Sequence, residues 1–259
     1  MKVVTWNVNS IRAREARALA WIDQHAPDVL CLQELKVVND GFPTEAFRAA
    51  GYEVALHGQK TYNGVAIASR LGLGQRDVVR GFDDGEPDDQ ARLIAATIQG
   101  VRVVCVYVPN GQEVGSDKYG YKLVWLARLR RWLERTCDPE RPLILCGDFN
   151  VAPEDRDVHD PAAWAGQVLC SEAERAALRQ VVAWGPLVDV FRQHHVEGEL
   201  FSWWDYRGVA LFKNRGLRID HHWVTPSLAQ RCSACDIDKQ ARKGQDASDH
   251  APVVATFAV

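Results

Sequence analysis

Residues Arg92–Val108, RLIAATIQGVRVVCVYV, decide the fold. Two apolar, β-branched runs, Arg92–Ile98 and Val101–Val108, are separated only by Gln99-Gly100. A two-residue spacer of this kind closes a tight antiparallel hairpin. Parallel neighbours need a crossover of a dozen or more residues, so the pair counts against an all-parallel, doubly wound sheet. Working outward, short apolar runs read as strands at Val3–Val8, Asp28–Gln33, Tyr52–Leu56, Gly64–Ser69, Leu143–Cys146, Leu217–Val224 and Pro252–Phe257.

Helices are predicted between them. Glu15–His25 places Leu19, Ile22 and Ala26 at helical spacing, and Thr44 caps Glu45–Ala50, which Gly51 stops. Lys118–Thr136 carries an apolar stripe (Trp125, Leu129, Trp132, Leu133) beside a basic one (Arg128, Arg131, Arg135). Glu172–Trp184 opens with Ser171 and Glu174 as a capping box. Val151–Leu169 and Phe201–Asn214 lack periodicity, and acidic Asp83–Gln90 reads as an exposed loop. TWNVNS (Thr5–Ser10) and CGDFNV (Cys146–Val151) echo each other, each ending a strand in an Asn-bearing turn. No Pro/Ser-rich linker divides the chain. The pattern predicts an α/β protein with two mixed sheets packed face to face and helices outside, one domain over residues 1–259.

With 259 residues and 47% hydrophobic content the chain can bury a sizeable core. No apolar run is long enough to cross a bilayer, and the N-terminus lacks a secretion-leader pattern. Cys31, Cys105 and Cys146 sit inside apolar runs as small buried hydrophobes; Cys232 and Cys235 form a lone CxxC without a second pair, read as structural thiols. A cytoplasmic protein is expected, with no membrane partner and a monomer as the simplest state. The net charge of −3 weighs against a nucleic-acid partner in sum. Its distribution points the other way, with basic clusters at Arg12–Arg17, Arg128–Arg135, Arg207–Arg218 and Arg242-Lys243. Each cluster alone also reads as a solvated face.

The chemistry-bearing residues stand at strand ends. Asn7 ends the first strand, Glu34 follows the second, Asp148 and Asn150 follow LILC, and Ser248-Asp249-His250 precedes the last. Carboxylates and amides converging there make a site for a hard metal ion and a phosphate. Asp148 can take a proton from water, and the Asn150 amide can donate to a phosphoryl oxygen; a plain Asx-turn is the alternative. His250 can bind a phosphate oxygen, with Asp220 fixing its tautomer. Asp249 is freer to face metal, and Tyr107 can donate from its strand exit. Each has an ordinary turn, surface or core reading when taken alone.

Together, TWNVNS, LQELK (Leu32–Lys36), NGVAIASR (Asn63–Arg70), YVPNG (Tyr107–Gly111), GDFNVAPEDRDVHDP (Gly147–Pro161), LRIDH (Leu217–His221) and SDHAPV (Ser248–Val253) resemble the exonuclease III family of abasic-site DNA repair endonucleases. SWWDYRG (Ser202–Gly208) narrows the match within the endonuclease/exonuclease/phosphatase superfamily. The resemblance implies a DNase I-like four-layer sandwich and Mg²⁺ or Mn²⁺ dependence. It implies hydrolysis 5′ to abasic sites, leaving a 3′-hydroxyl, with 3′-end trimming and 3′→5′ exonuclease activity. Double-stranded DNA with abasic or blocked 3′ ends is the implied partner.

Residue by residue, the resemblance makes Glu34 the main metal ligand, helped by Asn7 and Asp249. Asp148 activates water, Asn150 stabilises the transition state, Tyr107 and His250 bind phosphate, and Asp220 orients His250. Asp148, Asn150 and His250 are candidates for a second metal. Trp203, Leu217 and Ile219 match an abasic-sugar pocket, with Arg207, Lys213 and Arg215 gripping backbone phosphates. Trp203 and Trp204 also read as core aromatics. Another phosphohydrolase on the same scaffold, a 3′-end-processing enzyme, and a non-catalytic binding module are the competing readings.

Overall fold

The computed structural model describes residues 1–259. Twelve strands form two sheets: β1 Lys2–Asn7, β2 Val29–Gln33, β3 Tyr52–His57, β4 Val65–Arg70, β5 Gln75–Arg80, β6 Leu93–Ile98, β7 Val101–Tyr107, β8 Leu143–Asp148, β9 Val188–Asp189, β10 Asp220–Val224, β11 Cys232–Ile237 and β12 Val253–Phe257. The first sheet runs β11-β12-β1-β2-β4-β3 and the second β5-β6-β7-β8-β10-β9. The Gln99-Gly100 hairpin joins β6 to β7 antiparallel, with Ile98 opposite Val101. β1/β2 and β7/β8 are parallel pairs, so both sheets are mixed.

The sheets face each other across a core of Val3, Val29, Ile67, Ile94, Val103, Ile144 and Val253, with Cys31, Cys105 and Cys146 among them. Their outer faces are covered by helices. α1 (Ile11–His25) and α2 (Thr44–Ala49) bury Ala18, Trp21, Ile22 and Phe47 on the first sheet. α3 (Asp117–Thr136), the short α4 (Pro161–Trp164) and α5 (Glu172–Val182) follow; α3 and α5 bury Trp125, Leu129, Trp132, Leu178 and Val181 on the second. The result is the expected four layers, each one an amphipathic face turned onto an apolar sheet. α6 (Val190–His194) and α7 (Pro226–Ala229) are short connectors.

The two sheets share one topology, and it corrects the internal echo read from sequence. In each sheet the parallel pair is central, flanked on both sides by two antiparallel strands, and in the same chain order. β1 therefore corresponds to β7 and β2 to β8. Asn7 and Tyr107 stand at equivalent positions, as do Gln33 and Asp148, with Glu34 one residue further on; the TWNVNS and CGDFNV turns are not equivalent.

Other boundaries differ for physical reasons. α1 begins at Ile11, four residues early: Ile11 is buried on the core while Arg12 is exposed. Thr44 is inside α2 and makes no side-chain cap. The Asp83–Gln90 segment is clamped to α3: Arg128, buried, bonds Asp84 at 2.8 Å and Asp88 at 3.2 Å. Arg135 donates to the Phe82 carbonyl at 2.6 Å. The basic stripe of α3 thus holds a loop and is no free face.

Candidate active site

Sheet register sets the site. Tyr107 on β7 is in register with Asp148 on β8, and Asp148 is opposite Asp220 on β10. Directly opposed residues share a face, so one row across three strands aims a phenol and two carboxylates at the same end. On the first sheet Asn7 is in register with Gln33, which places Glu34 one residue beyond. Glu34 has a φ of 53°, uncommon for a residue with a side chain, and is held there by Ser10 N bonding its carbonyl at 2.8 Å. Gly147 precedes Asp148 with φ 148°, and a Cβ there would lie 1.9 Å from the Val106 carbonyl, so only glycine fits this strand exit.

The Asn7 amide bridges the two sheets, donating to Glu34 Oε1 at 2.8 Å and Asp148 Oδ2 at 2.9 Å. Asp148 Oδ1 accepts from the Asn150 backbone N–H at 2.9 Å. His250 Nε2 is 3.7 Å from Asp148 Oδ2, and its Nδ1 meets Asp220 Oδ2 at 2.9 Å. Burial works against the imidazolium, but the Asp220 and Asp148 carboxylates outweigh it and raise His250 to about 10. Burial pushes the Asp148 carboxyl up to about 7, with Asp220 and Glu34 adding and His250 and Asn7 opposing. Tyr107 is held well above a normal phenol by burial and by Glu34 and Asp148.

Glu34, Asp148 and His250 each offer a ligand atom within 4.8 Å of one another. Two carboxylates this close, one of them buried, repel; a divalent cation relieves that repulsion and suits oxygen donors. Lys36 Nζ meets part of this demand from the side, 2.9 Å from Glu34 Oε2. The donor set fits a hard metal ion. A protonated imidazole has no lone pair to offer, so His250 in its charged form is a donor to anions.

Other residues named from sequence are placed as follows. Asp249 lies beside the cluster with both oxygens engaged, by Trp203 Nε1 at 3.0 Å and Asn9 Nδ2 at 2.9 Å. Asn150, with φ 49°, donates to the Val108 carbonyl at 3.0 Å and accepts from Asn110 at 3.2 Å. Trp203 is half-buried and Trp204 fully buried in a separate small core. Leu217 and Ile219 are 0% and 1% exposed, packed with Ala152, Val158, Leu169 and Cys170, with Trp164, Val168 and Trp203 against them. Arg207, Lys213 and Arg215 are exposed. Arg218 is buried, bonded to Asp157 at 2.6 Å and Asp189 at 2.7 Å, and so leaves the basic cluster to which sequence assigned it.

Sequence reading missed Ser202, whose hydroxyl donates to Asp220 Oδ2 at 2.6 Å, and Asn9, which holds Asp249. Neither carries a local signal; each is a small polar residue made functional by a long-range contact.

Two stacked mixed sheets, with strand ends gathering a carboxylate pair, an imidazole and amides at one point, define a hydrolase of phosphate esters. The sequence profile of the Endonuclease/Exonuclease/phosphatase family matches residues 4–250. The exodeoxyribonuclease III of Haemophilus influenzae is 35% identical over 99% of this chain and 100% of its own. An AP endonuclease from Archaeoglobus fulgidus is 42% identical with a TM-score of 0.95, covering 100% of both chains. A 3′ phosphatase from Neisseria, solved with a product DNA hairpin, is similar to the same degree: 42% identity, TM-score 0.95, 100% of both chains. The chain belongs to the Endonuclease/Exonuclease/phosphatase family, in its exonuclease III group, and is a hydrolytic nuclease. The family is metal-dependent.

Proposed function

We propose that the protein hydrolyses the DNA phosphodiester 5′ to an abasic site, leaving a 3′-hydroxyl, and that it trims blocked 3′ ends and degrades 3′→5′ with the same residues during base excision repair. The observation that carries this is the hydrogen-bonded chain Asp220–His250, facing Asp148, with Asn7 joining Asp148 to Glu34.

Asp148, between the Asn7 amide and His250, is the group that takes a proton from water. The water oxygen attacks phosphorus, the P–O3′ bond breaks, and the leaving O3′ oxyanion takes a proton from solvent water to give the 3′-hydroxyl. His250, charged and oriented by Asp220, and the Tyr107 phenol donate to the phosphate oxygens as charge gathers there. Asn150 positions the water and stabilises that charge. Glu34, Asn7 and Asp249 would hold Mg²⁺ or Mn²⁺; Asp148 and Asn150 remain the candidates for a second ion, since the charged His250 has no lone pair to give. When bound, the ion acts as a Lewis acid on the phosphoryl group. Arg207, Lys213 and Arg215 neutralise backbone phosphates of double-stranded DNA, and Trp203, Leu217 and Ile219 floor the sugar site. The protein acts as a monomer, a single domain over residues 1–259, in the cytoplasm, where its seven free thiols suit a reducing compartment. No helix is long and apolar enough to cross a membrane.

A second reading, 3′-end processing with weak abasic incision, has one observation in its favour. Leu217 and Ile219 are covered by the 160–170 segment, so of the pocket residues only the half-buried Trp203 offers surface to an extrahelical sugar. Two labelled duplexes with Mg²⁺ and an EDTA control separate the readings, one with an internal abasic analogue and one with a 3′-phosphate at a nick. Metal-dependent incision 5′ to the lesion supports the first; activity confined to the nick supports the second.

A further inference from the structure

Lys122 is fully buried on α3, beneath both loops that carry site residues. An ammonium has three donors. Here all three are used: on the Asn110 carbonyl at 3.1 Å, on the Asn150 carbonyl at 2.6 Å, and on the fully buried Glu174 carboxylate. Glu174 is itself fixed from elsewhere. It accepts from the backbone N–H of Leu169 at 3.0 Å and of Ser171 at 3.1 Å, and Ser171 Oγ is 2.6 Å from the Tyr119 hydroxyl. Gly111, next to Asn110, packs on the lysine stem; a Cβ there would come within 3.1 Å of Cδ.

A buried ion pair is a poor way to gain stability, since well-packed apolar residues of similar volume often do as well or better. What this pair supplies is geometry. The two carbonyls it holds belong to two asparagines whose side chains also meet, Asn110 Nδ2 to Asn150 Oδ1 at 3.2 Å. Asn150 is in the left-handed region with φ 49°, reachable for asparagine but not its default. Gripping the Asn150 carbonyl fixes the peptide plane that follows it, while Asp148 Oδ1 fixes the N–H before it. The side chain between them donates one amide N–H to the Val108 carbonyl at 3.0 Å, which leaves the second N–H for a substrate oxygen.

We propose that Lys122, with Glu174 as its counter-ion, is a positioning residue for hydrolysis, locking the 149–151 and 108–112 loops so that the Asn150 amide faces the scissile phosphate. This rests on the reading of Asn150 as a group that touches the substrate. Lys122 acts only through it.

The test is a double-mutant cycle with K122M, N150A and K122M/N150A on the purified full chain. It uses a labelled abasic duplex, saturating Mg²⁺, and melting temperatures taken alongside. K122M should lower kcat about 10-fold or more while KM moves less than about 3-fold, because misplacing a reacting group costs rate more than binding. In the N150A background the same substitution should cost less than about 2-fold, since the group it positions is gone. Should K122M prove insoluble, K122M/E174Q removes both charges together, keeps one acceptor oxygen for the backbone N–H of Leu169 or Ser171, and carries the same expectation. Unchanged kcat in K122M, or an equal loss with and without Asn150, overturns the positioning role and leaves a folding element. Full kcat in N150A overturns the reading of Asn150 and this inference with it, and is told apart by which single variant keeps its rate.

Discussion

His250 Nδ1 lies 2.9 Å from one oxygen of Asp220 and 3.1 Å from the other, so one carboxylate straddles the imidazole N–H. Ser202 braces that carboxylate from behind. The pairing leaves Nε2 turned toward Asp148 and keeps the ring charged, its ordinary value raised to about 10 against the pull of burial. H250A should lower kcat by about 10²-fold or more, the range for a lost charge-stabilising donor. D220N should lower kcat in the same direction, and adding it to H250A should cost little more. Single-turnover kinetics check this; full activity in D220N would detach Asp220 from the reaction.

Asp148 sits where a proton acceptor is needed, and D148N should abolish turnover while DNA affinity stays within about 3-fold of wild type, because the lost group acts in the transition state. Burial penalises the charged form of this carboxyl and pushes it up to about 7. A cation favours the charged form and lowers it, so Mg²⁺ binding at pH 7 should release protons. Calorimetry in two buffers of different ionisation enthalpy measures that release, which D148N should diminish. Chelation with EDTA should stop hydrolysis in all cases.

Arg207 and Lys213 are exposed around the aromatic segment and free to meet phosphates. R207A/K213A should weaken duplex binding and reduce the slope of log Kd against log salt by about 2, near one counterion per lost contact. An unchanged salt slope would place the DNA track elsewhere on the molecule.

Asp157 is the acidic hub under this face, fully buried between Arg192 and Arg218. Burial raises its carboxyl, but the two guanidinium groups win and hold it at about 2, below its ordinary 3.8. A value depressed in the folded state stabilises above the unfolded value and is lost as pH falls from about 4 to about 2, a contribution of about 2 kcal/mol. Urea unfolding across that range should show the loss in wild type and a flatter profile in D157N. D157N should also unfold more readily at pH 7, by about 3 kcal/mol, because two buried cations lose their partner.

The Gln99-Gly100 hairpin was legible because two residues between β-branched runs leave few alternatives. Asn7, Glu34, Asp148 and His250 were legible because polar groups at the ends of apolar strands stand out. β5, QRDVVR, was not, since an edge strand with no fully buried side chain shows no apolar alternation. β11 was hidden by its CxxC, whose cysteines instead turn Cys232 and Cys235 onto the core between the sheets. Arg128 and Arg218 read as surface charge because nothing local announces Asp84, Asp88, Asp157 or Asp189 as their partners.

By itself the sequence determined the class of fold and the kind of chemistry. Hydrophobic period and turn residues act over a few positions, and a carboxylate after a buried strand is unusual wherever it occurs. The tertiary structure decided everything that depends on pairing across distance. It set the register that lines up Tyr107, Asp148 and Asp220, and the charge on His250. It also decided the closure of Leu217 and Ile219 beneath the 160–170 segment and the lysine that ties Asn110 to Asn150. These rest on contacts between residues tens to hundreds of positions apart, whose strength depends on burial and angle, and neither is written in the order of the residues alone.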